Sequence, residues 1–158
     1  MKRRTKKLSR RPLKPLNEMT LTFPALSENE RFARLAVSGF LSQLDPNISE
    51  LSDIKTAVSE AVTNAIVHGY RERSGEVMMQ VRIFEDSRIC IKIQDKGCGM
   101  ADVEQAMTPL YTSSPEEERA GLGFTIMETF MEKVRVKSKP DKGTTVILER
   151  TVQGKRRL

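Results

Sequence analysis

Three short fragments, far apart along the chain, limit what it can fold into: Glu60-Ala-Val-Thr-Asn64, Asp95-Lys-Gly97-Cys-Gly99 and Gly121-Leu-Gly123. The first lies in a helical pattern, the second follows a run with strand periodicity, and the third opens another helical run. A Gly143-Thr144-Thr145 element follows near the C-terminus. Each has an ordinary reading: a solvated helix face, an Asp-Gly turn, a helix entry. A fold that serves them together must bring one helix face, one strand end and one helix start to a single place.

The surrounding pattern supplies those elements. Met19, Leu21 and Phe23 alternate with polar residues as a half-buried strand does. Ser27-Glu-Asn-Glu30 reads as a capping box ahead of a helix carrying Phe32, Leu35, Ala36, Phe40, Leu41 and Leu44. Asp45-Pro46-Asn47 breaks that helix, and Ser49 is placed to cap the next. Strand patterns run from Val77 to Phe84 and from Ile89 to Ile93, followed by a short helix at Asp102–Met107. A helix from about Leu122 to Glu132 and strands near Val134–Lys137 and Thr144–Arg150 complete the chain.

Chemistry enters on the second helix. Ile54, Ala57, Val58, Ala61, Val62, Ala65 and Ile66 form its apolar stripe, and Thr56, Glu60 and Asn64 lie four apart on a neighbouring face. Asn competes for backbone hydrogen bonds inside a helix, so Asn64 one turn from a carboxylate invites a functional reason. An amide oxygen can ligate Mg²⁺ while a carboxylate handles a proton. Asp95 at a strand end can accept a hydrogen bond from the exocyclic amine of adenine, and Gly97 and Gly99 let the backbone approach a ligand. Gly121 and Gly123 open a helix whose first N–H groups and dipole favour phosphate oxygens. The polar stretch Thr108–Ala120 can fold over a nucleotide, with Arg119 at its end offering a fork of donors to a γ-phosphate. Together the fragments make a candidate ATP site.

Composition narrows the setting. The 158 residues suffice for one domain with a real core, and 38% hydrophobic with 30% charged residues is the balance of a soluble globular protein. No apolar run approaches the roughly 20 residues of a membrane helix, and the basic start lacks a signal-peptide apolar region. Cys90 and Cys98 form no CxxC pair, which reads as a reduced, cytoplasmic protein. The net charge of +6 sits in the tails: residues 1–16 hold eight Lys or Arg and no acid. Without Lys155, Arg156 and Arg157 as well, sixteen basic residues face twenty-one acidic ones. The body is mildly acidic, so a disordered basic arm is expected rather than a nucleic-acid or membrane partner.

With those residues in hand, the chain resembles the Bergerat-type (GHKL) ATPases, which include gyrase-type ATPases, Hsp90, histidine kinases and MutL proteins. Five of its nine glycines fall in the matching elements. Residues from about Asn17 to Thr151 are similar, more narrowly, to the anti-sigma F factors of endospore-forming bacteria, which are serine kinases. Ser27-Glu-Asn-Glu-Arg-Phe-Ala-Arg34, Val58 through Tyr70 and Gly121-Leu-Gly-Phe-Thr-Ile-Met-Glu128 carry that similarity. The resemblance implies an α/β (α+β) two-layer sandwich, with a mixed, mostly antiparallel sheet covered by helices on one face. It also implies an ATPase domain over 17–151, flanked by the basic arm over 1–16 and a basic tail over 152–158 that the charge distribution marks.

Roles follow from the resemblance residue by residue. Glu60 would be the catalytic base, Asn64 would hold Mg²⁺, and Asp95 would read adenine with support from Thr145. Gly97, Gly99, Gly121, Leu122 and Gly123 would shape the ATP/ADP pocket, and Thr112 and Arg119 would contact nucleotide. Glu30 and Arg34 would face protein partners: sigma factor F, and an anti-anti-sigma factor phosphorylated on serine. The family's proteins are homodimers through the N-terminal strand and first helix. Ser114 stands where the family tends to have Lys, Cys98 lies inside the adenine loop, and the arm has no counterpart. His68 reads as structural, because a phosphohistidine kinase needs a helical hairpin for which this chain has no room. Two alternatives stay open: a general-stress anti-sigma kinase, and a nucleotide-gated binding module without kinase activity.

Overall fold

The computed structural model describes residues 13–108 and 122–154. Five strands form one sheet: β1 (Asn17–Pro24), β2 (Glu76–Ile83), β3 (Arg88–Asp95), β4 (Lys133–Ser138) and β5 (Thr144–Thr151), in the order β1-β2-β3-β5-β4. All four pairings are antiparallel, so the sheet of the described residues is antiparallel throughout rather than mixed as expected. The helices are α1 (Glu28–Leu41), α2 (Ile48–Thr63), α3 (Val103–Met107) and α4 (Gly123–Phe130), and α2 packs against both α1 and α4.

Period-two alternation decides which strand residues meet the helices. Val77, Met79, Val81 and Ile83 of β2 are buried, as are Ile89, Ile91 and Ile93 of β3, and Val146 and Leu148 of β5. They pack on Val37 and Leu41 of α1, Ile54, Val58 and Val62 of α2, and Phe124 and Met127 of α4. Burying each such side chain is worth about 1.5–3 kcal/mol, which fixes the strand register because a one-residue slip would turn every one of them to solvent. The same alternation puts Asp95, two residues beyond Ile93, on the core face.

Helix starts differ from the sequence expectation. Ser27 has helical dihedrals and makes no side-chain cap. Its intended partner Glu30 is engaged elsewhere, accepting from the Ser59 hydroxyl at 2.5 Å and pairing with Arg34 at 2.8 Å. The reciprocal capping box is instead Asn47 with Glu50, so α2 starts one residue ahead of Ser49. Glu50 is 4% exposed and also accepts the N–H groups of Gln153 and Gly154, at 2.6 and 3.1 Å, tying the end of the chain to α2. Arg150 makes a second tie, donating to the Phe130 carbonyl at 2.9 Å and to Asp53 at 3.2 Å. Glu50→Ala removes the buried carboxylate that gathers these part-buried backbone donors, so we expect a loss of about 3 kcal/mol, read as a Tm fall of about 6–12 °C in a thermal melt. A Tm within 2 °C of wild type would refute the clamp.

Candidate functional site

At its C-terminal end α2 changes pitch. Asn64–Gly69 is a π-helical turn, in which one extra residue per turn re-aims the side chains that follow, a distortion frequent at functional sites. Ala65, Ile66 and Gly69 remain buried, while Asn64 and His68 line a cavity of about 260 Å³. The cavity lies between this turn, the ends of β3 and β5, the loop Cys98–Asp102 and helix α3.

One end of the site is built where α4 begins. A Cβ at Gly123 would come 3.2 and 3.3 Å from the Asn64 amide atoms and 3.3 Å from Glu60 Oε2. Glu60 and Asn64 therefore converge on the first turn of α4, the end of a helix that favours anions. Any side chain at position 123 would press on both.

The other end is built around Asp95. Its carboxylate is 5% exposed and Oδ1 accepts from the Gly97 N–H at 2.9 Å. Burial pushes its pKa above the ordinary carboxylate value, opposed by the backbone N–H groups of Gly97 and Thr144. The packing demands glycine at two points. A Cβ at Gly69 would fall 2.8 Å from the Asp95 carboxyl carbon, and Gly143, at φ +80°, turns β5 in against the Asp95 carbonyl. Cys98 N–H donates to the Gly69 carbonyl at 2.8 Å and the Cys98 thiol to the His68 carbonyl at 3.2 Å, fastening the loop to the π-turn. Ser138 holds the loop's far side, accepting from Met100 N–H at 2.8 Å.

Asn64, Asp95 and Gly99 thus line one cavity, with Gly97 bonded to Asp95, and Glu60 and Gly123 beside Asn64. Leu122 precedes α4 and is exposed. Thr145 is a correction: it faces away from the described helices, on the other side of the sheet among Lys92, Ile147 and Lys137. Thr144 pairs with Asp95 across β3 and β5 and lines the cavity in its place. Gly69 was missed from sequence, whereas Gly143 and Thr144 were noted there as part of one element, with the supporting role given to Thr145. Thr112, Arg119 and Gly121 lie outside the described residues. Glu30 and Arg34 sit together on α1, apart from the cavity.

The donor set bears on what could be held. Among the described residues no three His, Cys, Asp or Glu side chains cluster as a metal site. A single amide oxygen suits Mg²⁺ carried in with phosphates, since that ion keeps waters and takes few protein ligands. No helix of the described residues is long and apolar enough to cross a membrane.

Comparison with known proteins places this geometry. The sequence model of the histidine kinase-like ATPase domain matches residues 23–150. Among solved structures, the RsbU and RsbW domains of a Mycobacterium tuberculosis protein superpose with a TM-score of 0.64 at 21% identity, covering 87% of this chain and 33% of that one. The catalytic domain of the histidine kinase ThkA gives 0.53 at 15% identity, covering 85% and 96%. These likenesses carry the fold. The anti-sigma F factor of Pasteuria penetrans is 54% identical over 141 residues, 89% of this chain and 94% of its own length. That of Clostridium perfringens is 56% identical over 135 residues, 85% and 96%. The chain belongs to the anti-sigma F factor family, within the histidine kinase-like ATPases.

Proposed function

We propose that the chain is an anti-sigma protein that holds sporulation sigma factor F when ATP is bound and phosphorylates its anti-anti-sigma partner on a serine. The observation that carries this is the convergence of Glu60 and Asn64 on the first turn of α4, at one end of a cavity whose other end holds a buried Asp95. A pocket that only sensed nucleotide would need Asp95 and an anion-binding helix start, but no carboxylate beside Asn64. The 54% identity to an anti-sigma F factor supports the choice of partner.

Each residue then has a task. Asp95 accepts the adenine amine, which selects the base and sets the depth of the nucleotide. Asn64 would hold Mg²⁺ through its amide oxygen; bound there, the ion neutralises phosphate charge. Glu60 orients the serine hydroxyl and takes its proton as the phosphoryl group transfers in line, a reaction dominated by positioning and charge neutralisation. Thr112, Arg119 and Gly121 add phosphate contacts. Arg34, oriented by Glu30, contacts the sigma factor and the anti-anti-sigma protein, and the chain works as a cytoplasmic homodimer.

The test uses the full chain with labelled ATP, Mg²⁺ and the anti-anti-sigma protein. Phosphoserine is expected on the partner, and no phosphohistidine at the chain's own His68. ATP-dependent capture of the sigma factor without any transfer would replace the kinase by the nucleotide-gated module.

A further inference from the structure

Arg71 is the one Lys or Arg among the described residues lining the cavity. It follows the π-turn in a loop that reverses the chain toward β2. There Arg71 and Glu72 have φ of +48° and +67°, the sole consecutive pair of non-glycine residues in the left-handed region among the described residues. The other such residues, Asp45, Ser87 and Asp141, stand singly and are the short polar types that tolerate it. If this loop had only to reverse the chain, glycine or asparagine would do so without strain. A long cationic side chain held there is the kind of outlier that marks a functional site.

The loop is also firmly placed. Tyr70 is 6% exposed, and its hydroxyl donates to the Glu76 carbonyl at 2.5 Å and accepts from Lys96 N–H at 2.9 Å. Arg73 N–H and Nε both donate to the Tyr70 carbonyl, at 3.0 and 3.3 Å. Gly69, two residues before Arg71, abuts the Asp95 carboxyl. Arg71 therefore flanks the Asp95 end of the cavity, away from the Glu60–Asn64 end where phosphates are placed. A planar guanidinium beside a purine binds its face by stacking and cation–π attraction.

We propose that Arg71 is a further nucleotide-contacting residue, its guanidinium closing over the open face of the base held by Asp95; this rests on the nucleotide reading above. Calorimetric titration of the full chain with ATP, ADP and adenosine tests it, using Arg71→Ala and Arg71→Gly. Both variants are expected to weaken all three ligands by a similar factor, about three- to ten-fold. Arg71→Gly is also expected to raise Tm by about 2 °C, because glycine relieves the left-handed strain, while Arg71→Ala leaves Tm near wild type. Lost affinity in the more stable glycine variant separates contact from folding. Wild-type affinity in both variants overturns the proposal, as does a loss confined to ATP and ADP, which would make Arg71 a phosphate contact. A wild-type chain that binds none of the three overturns the nucleotide reading itself, and this inference with it.

Discussion

Glu60→Gln is expected to lower phosphoryl transfer to the partner serine by about 10²–10⁴-fold, the range for losing a general base, and to leave ATP affinity within about two-fold. The amide is isosteric with the carboxylate, so the packing against Gly123 and the placement of Asn64 survive. What it cannot do is accept the hydroxyl proton. Single-turnover transfer from prebound ATP reads the loss directly, and a parallel titration checks that the nucleotide still binds. Capture of the sigma factor in ATP should persist, because Arg34 and Glu30 lie on α1 outside the cavity. Transfer at the wild-type rate would remove Glu60 from the reaction. Loss of ATP binding together with transfer would make it a structural support for α4.

Much of this site was legible because strand alternation is unforgiving. Ile89, Ile91 and Ile93 announce their face, and Asp95 inherits it. Glu60 and Asn64 were readable as neighbours because four residues make about one helical turn. The π-turn was not readable: Ala61, Val62, Ala65 and Ile66 stay apolar across the junction, so an extra residue in the turn leaves no mark on the stripe. Thr144 and Thr145 were indistinguishable for a related reason. Val146, Ile147 and Leu148 are apolar on both phases of β5, and it takes the pairing of Thr144 with Asp95 to choose between them. The box at Ser27 failed because Glu30 satisfies a tertiary contact with Ser59 in preference to a local cap. Local chemistry offered two partners, and packing chose.

Asp95→Asn should separate stability from binding. Asp95 sits in the fold at a cost: its folded pKa is raised above the ordinary carboxylate value, chiefly by burial. A raised folded pKa means stability fully present below the unfolded value, lost as pH rises through the folded one, so at neutral pH the buried carboxylate works against the fold. Asparagine is uncharged at every pH, and its amide oxygen can keep the hydrogen bond from Gly97 N–H. The variant should therefore melt above wild type at pH 7, with the difference shrinking as pH falls and wild-type Asp95 takes up its proton. Nucleotide affinity should move the other way. Losing a hydrogen bond to a charged acceptor is worth about 1.5–3 kcal/mol, which is about 10- to 150-fold in Kd for ATP and for adenosine alike. A variant that binds ATP as wild type does would take the adenine contact away from Asp95. One that melts at or below wild type throughout the pH range would show that Gly97 and Thr144 outweigh burial. The expected pairing, a more stable chain that has lost its ligand, is what a charge kept buried for binding rather than for folding should give.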